Sequence, residues 1–171
     1  MFDQSYQIHF LMSNDSYREP FHRVHLYKFR AKSKLIYIVR LEEFDHSFFS
    51  VKYYLKKLSH STKKYEMLTS CYEASRIINT CLKVMEDVLD KYPTASFGFT
   101  GAPIEREDTT DKPTKRYRIY QQIMQNFFPP DSFHHYPLAA KNAYFLINAK
   151  NQSPKLVLDY ITQLLRESYS F

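Results

Sequence analysis

The spacing of apolar side chains first turns from strand-like to helical near residue 70, and that change limits the possible folds more than any other feature. Before it, apolar residues recur at every second position, the period of a strand with one buried face. Just after it they recur at intervals of three and four, the period of an amphipathic helix. Strands are therefore expected over residues 6–12, 21–30, 35–41, 48–58 and 65–69. The breaks between them, at Asn14-Asp15, Lys32-Ser33, Asp45-His46 and residues 59–62, are polar turn formers rather than glycines. Breaks this short suit an antiparallel meander. In the fourth strand Phe49, Val51, Tyr53 and Leu55 share one face, and Phe48, Ser50, Lys52, Tyr54 and Lys56 share the other. Residues 35–39 are apolar on both faces, which predicts a strand covered on both sides.

The helical half begins with Ser70 and Glu73, spaced as a capping box. Ile77, Ile78, Cys81, Val84, Met85 and Val88 form its apolar stripe, and Pro93 ends it. A strand follows over 95–100, then a helix over 114–128 with Tyr120, Ile123, Met124 and Phe127 inward, stopped by Pro129-Pro130. A strand over 142–148 leads to a last helix, with Ser153 as its cap and Pro154 at its first position. The expected fold class is α+β: a mostly antiparallel N-terminal strand meander followed by helix-strand-helix-strand-helix, in a single domain over residues 1–171, with the helices on one face of the sheet.

Composition excludes several function classes. Only Gly98 and Gly101 are glycines, too few for a phosphate-binding P-loop or a dinucleotide fingerprint. There is no Gly-x-Ser-x-Gly elbow, no Cys-x-x-Cys and no His-x-x-x-His on a predicted helix, so neither a metal nor a cofactor is expected. His22 and His25 fall on a strand, where that spacing sends them to opposite faces. Cys71 and Cys81 lie ten residues apart on or beside one helix, about 15 Å, too far to bridge. Two such thiols suit a reducing compartment, and the polar N-terminus does not read as a signal peptide. The expected location is the cytoplasm, with no membrane association. Aromatic residues are abundant, but with no Trp this matches the Phe, Tyr, Lys, Ile and Asn bias of an AT-rich genome.

The net charge of +6 is uneven. Residues 1–60 and 114–171 are basic, and residues 61–113 are slightly acidic. Both glycines precede the most basic helix start, where Lys112, Lys115, Arg116 and Arg118 cluster. A helix N-terminus carries partial positive charge and favours acids, so cations there imply an anion between them. Thr100, Gly101, Lys112, Lys115, Arg116 and Arg118 are thus a candidate nucleic-acid or phosphate site; the competing reading is internal pairing with Glu105, Glu107, Asp108 and Asp111. A secondary surface is Phe48, Lys52, Tyr54 and Lys56, where rings alternate with lysines as on a stacking platform for single strands, unless a helix covers it. His134 and His135, expected in a loop, are candidate general bases for metal-independent nucleic-acid cleavage beside the same arginines.

The stretch Lys91-Tyr92-Pro93-Thr94-Ala95, the strand ending at Gly101, and Arg116-Tyr117-Arg118-Ile119-Tyr120 resemble an uncharacterised family of small bacterial proteins. There, Lys-Tyr-Pro-x-Ala closes a helix, a strand and a Gly-Ser/Thr turn follow, and Arg-x-Arg-Leu-Tyr opens the next helix. Here Ala102 follows Gly101, and a longer loop precedes Arg116. The resemblance implies a bacterial origin and a shared fold, and it transfers no activity. The leading expectation is a non-enzymatic protein with DNA or RNA as partner, of a bacterium or its mobile elements. The alternatives are a nuclease-type toxin and a protein-interaction component of a defence or toxin–antitoxin system.

Overall fold

The computed structural model describes residues 4–17, 20–65, 73–100 and 115–167. The elements are β1 (Ile8–Asp15), β2 (Arg23–Arg30), β3 (Ile36–Phe44), β4 (Phe48–Leu55), α1 (Ala74–Lys91), β5 (Ser96–Thr100), α2 (Lys115–Phe127), β6 (Phe133–Leu138), β7 (Ala143–Asn148) and α3 (Pro154–Arg166). The seven strands make one sheet in the order β1-β2-β3-β4-β5-β7-β6. Every neighbouring pair is antiparallel except β4 and β5. The α+β class and the N-terminal meander are as expected, but the order after it is helix, strand, helix, strand, strand, helix.

The extra strand is β6, which contains the two histidines expected in a loop. Pro137 argues against a strand in the sequence, because proline cannot complete a ladder. It is tolerated here because β6 is an edge strand, bonded among the described residues only to β7. The first strand is longer than expected and runs through Asn14-Asp15, held at its end by Asp15 accepting from Arg23 Nε at 2.9 Å. The fourth is shorter, since the backbone turns into a 3-10 segment at Lys56–Leu58. Residues 66–69 of the expected fifth strand, Ser70 of the expected capping box and Cys71 lie outside the described residues. Glu73 precedes the first helical residue and does not cap it; its Oε1 accepts from Tyr6 O–H at 2.6 Å and from Ser33 N–H at 3.3 Å. Ser153 stands at the N-cap of α3 as expected, yet its side chain makes no capping bond.

The helices cover both faces of the sheet rather than one. Tyr37, Val39, Leu41, Phe49, Val51, Phe97, Tyr144 and Leu146 pack with the stripes of α1 and α2. Their alternate neighbours Phe44, Phe48, Ala143, Phe145 and Ile147 pack with Val157, Ile161 and Leu164 of α3. The apolar run at 143–147 is the sequence trace of this arrangement, because a strand buried on both faces loses its alternation. Cys81 lies in the α1 layer, where burial pushes its thiol up to about 12 and leaves it a core side chain.

Gly98 is required by this packing and not by its backbone angle. A Cβ at this position would lie 2.6 Å from Cζ of Phe48 and 3.1 Å from the Phe145 ring. Gly98→Ala should therefore cost about 1–3 kcal/mol in urea unfolding, with Phe48 and α3 displaced.

Candidate functional site

Because β4 and β5 run parallel, with Ser50 beside Gly98, their C-terminal ends emerge from the same edge of the sheet. The β2–β3 turn emerges there too, since Arg30 pairs with Ile36 and Tyr37 with Leu55. Lys34 makes this turn in a left-handed conformation, φ 67°, with its N–H bonded to Ala31 O. Arg30, Lys32 and Lys34 from this turn are exposed, as are Lys56, Lys57 and Lys63 from the segment after β4. Residues 28–41 and 46–65 contain no Asp or Glu at all. α2, whose Tyr120 ring lies 5.8 Å from that of Phe99 on β5, opens at the same edge. Chain crossover thus brings together two basic segments that are far apart in sequence.

Beneath this rim, on the α3 side of the sheet, lies a buried ion cluster. Glu42 accepts from Arg40 Nε at 2.8 Å and lies 2.9 Å from Lys52 Nζ. Tyr65 folds edge-on against Tyr54, ring centres 5.5 Å apart, and Lys64 Nζ sits 4.7 Å from the Tyr54 ring. Burial lowers the pKa of Lys52, opposed by the Glu42 charge, and burial raises that of the Tyr65 phenol.

The residues expected to act fall in several settings. Thr100 is half-buried at the end of β5, paired with Ala143. Gly101 and Lys112 lie outside the described residues. Lys115 and Arg116 open α2, and Arg118 is exposed in its first turn. Phe48 is completely buried under α3, so it presents no ring to a partner. Lys52 and Tyr54 do share its face, but Lys52 is held by Glu42 and Tyr54 lies under Tyr65. Lys56 is exposed, but in the 3-10 turn and not on the strand. His135 is locked: Nε2 is 2.8 Å from Phe128 O, and Nδ1 is 2.7 Å from Tyr144 O–H. A carbonyl only accepts, so Nε2 carries the proton and Nδ1 takes the Tyr144 hydrogen. Burial pushes that phenol up to about 12, so it stays a donor. His134 faces solvent on the opposite side of β6.

The opposite edge of the sheet holds a group that sequence patterns passed over. Ser13, His25 and Glu43 form a chain of side chains across β1, β2 and β3. His22 also reaches Glu43, at 3.4 Å, although a strand would have sent it to the face opposite His25. It can do so because β2 begins only at Arg23. Beside this chain is a cavity of about 160 Å³ walled by Phe10, Tyr27, Phe49, Val88 and Tyr92, with Arg23 and Lys91 at its margin. Among the described residues no group of His, Cys, Asp and Glu is arranged to hold a metal ion, and no helix is long and apolar enough to cross a membrane.

Removing Glu42 would leave Arg40 and Lys52 buried without their shared counter-charge. Glu42→Ala should therefore lower stability by about 3 kcal/mol, read from denaturant midpoints at constant slope. Compared with known proteins, the chain matches no family model, no curated protein and no solved structure.

Proposed function

We propose that the protein binds nucleic acid through the basic edge formed by the β2–β3 turn, the segment after β4 and the start of α2. The observation that carries this reading is the convergence of exposed Arg30, Lys32, Lys34, Lys56, Lys57 and Lys63 from two segments that contain no acid. The nearest carboxylate on the α3 face of these strands, Glu42, is buried and already shared by Arg40 and Lys52. It is engaged below the rim, and the carboxylate that does reach the β2–β3 turn is Glu73, at Ser33 N–H. A dense array of cations of this kind recognises phosphates by releasing condensed counterions, which makes binding salt-dependent and only weakly sequence-specific. Lys115, Arg116 and Arg118 belong to the first turn of α2, which opens at the same edge, and in this reading they supply further phosphate contacts. The aromatic residues of β4 serve the interior in this reading, so stacking contributes little unless Tyr65 and Lys64 swing away from Tyr54.

A protein partner is the second reading, favoured by β1, an edge strand among the described residues that exposes Phe10, Leu11 and Met12.

Fluorescence anisotropy with labelled single-stranded and duplex DNA and RNA across a salt series tests the first reading. Affinity should fall steeply with salt, with a log–log slope of roughly −0.7 to −0.9 per phosphate contacted. Lys56→Glu/Lys57→Glu should weaken binding by about tenfold or more and flatten that slope. Arg116→Ala/Arg118→Ala should do the same to a smaller degree. No binding at low salt overturns the reading and leaves a salt-resistant protein complex as the one to pursue.

A further inference from the structure

A single extra residue in β1 determines what faces His25. The pairing with β2 steps from Phe10↔Tyr27 to Met12↔Leu26, so Leu11 is a bulge. An unbroken ladder would have set Met12 opposite His25; the bulge sets Ser13 there instead. Ser13 Oγ then lies 2.6 Å from His25 Nδ1, and His25 Nε2 lies 2.7 Å from Glu43 Oε2. A carboxylate only accepts, so Nε2 carries the proton of the neutral ring and the Nδ1 lone pair faces the Ser13 hydroxyl. Hydroxyl, imidazole and carboxylate are thus in the order nucleophile, base, orienting group, with both links at hydrogen-bond distance. His25 and Glu43 are each 12 % exposed in their side chains, while Ser13 is exposed at the cavity mouth.

We propose that Ser13, His25 and Glu43 form a nucleophilic site that hydrolyses small carboxylic esters, with the acyl group seated in the aromatic cavity. Ser13 Oγ bonds to the acyl carbon as its proton passes to His25 Nδ1, and Glu43 stabilises the imidazolium. The negative charge that develops on the carbonyl oxygen meets the positive margin of the cavity, where Lys91 reaches over the Phe10 ring. Arg23, which also lines the cavity, is tied by its Nε to Asp15. The bond to the alcohol oxygen then breaks, and the departing alcohol takes the proton from His25. Water repeats the sequence, releasing the carboxylic acid and restoring Ser13. A cavity of about 160 Å³ limits the acyl group to a short chain or a single ring. The site lies at the opposite edge of the sheet from the basic rim, so it stands or falls independently of nucleic-acid binding.

The full chain, treated with a fluorophosphonate probe and digested for mass spectrometry, should carry the label on Ser13 only when folded. It should also hydrolyse 4-nitrophenyl acetate. Ser13→Ala, an exposed change that leaves the fold intact by circular dichroism, should lose both. His25→Gln should slow labelling and turnover by about a hundredfold. Glu43 acts through His25 as a positioning residue. Glu43→Gln should lower kcat about tenfold and leave KM for 4-nitrophenyl acetate unchanged, with Glu43→Asp restoring part of the rate, since the ring loses the acceptor that holds its Nε2–H. Absence of label on Ser13 in the folded chain, or ester hydrolysis that persists in Ser13→Ala, overturns the proposal.

Discussion

The short parallel pairing of β4 with β5 holds the two halves of this molecule together. It spans only Phe48↔Ser96, Phe49↔Phe97 and Ser50↔Gly98. On one side of these pairs lies the meander β1–β4, and on the other lie β5, β7 and β6. Both faces of the seam are closed to water: Phe49 and Phe97 lie under α1, and Phe48 lies under α3. Ser96 and Ser50, the polar members of the seam, are equally buried, and Ser96 Oγ accepts from Asn148 N–H at 2.9 Å. Burying each large side chain here contributes roughly 1.5–3 kcal/mol, enough for a few rows to secure a junction that backbone bonds alone would not.

The same seam determines where function can sit. A parallel pair sends both strands out through one edge, so the basic turn of the meander and the start of α2 meet there. The other edge receives the C-terminal end of α1, the ends of β1 and β3, and the start of β2. Its charges are mixed: Asp15, Glu43 and Asp45 stand among Arg23, His22 and His25. One edge is therefore rich in exposed Lys and Arg, with Glu73 bonded at its β2–β3 turn, while the other pairs its charges at short range around a cavity. The two edges differ because Asp15, Glu43 and Asp45 of the meander stand at the second, while Glu42 is held inside by Arg40 and Lys52.

Much of the fold could be read in the chain because it follows from local periods. The stripe of α1, the inward set of α2 and the faces of β4 occur where alternation and helical spacing put them. Failures occurred where a local rule met an edge or an interior charge. β6 was hidden by Pro137, which only an edge strand tolerates. β3 continues past Leu41 because Glu42, polar by type, is buried against Arg40 and Lys52. Lys52 and Tyr54 share the face assigned to them, but the residues that cover them, Lys64 and Tyr65, belong to a turn that no periodicity describes.

The sequence by itself determined the class of most segments, the inward face of the strongly periodic ones and the unequal spread of charge, because these depend on neighbours within one or two turns of chain. The tertiary structure alone decided the order of the strands, the covering of both faces and the encounters among distant side chains. Strand order is a choice among long-range pairings with similar local patterns, and the crossover between β4 and β5 made that choice. The approach of Ser13 to His25 rests on one extra residue at Leu11, which reverses the facing of everything after it. A bulge is visible only against the partner strand, so the group that includes Glu43, eighteen residues beyond His25, exists only once the sheet has closed.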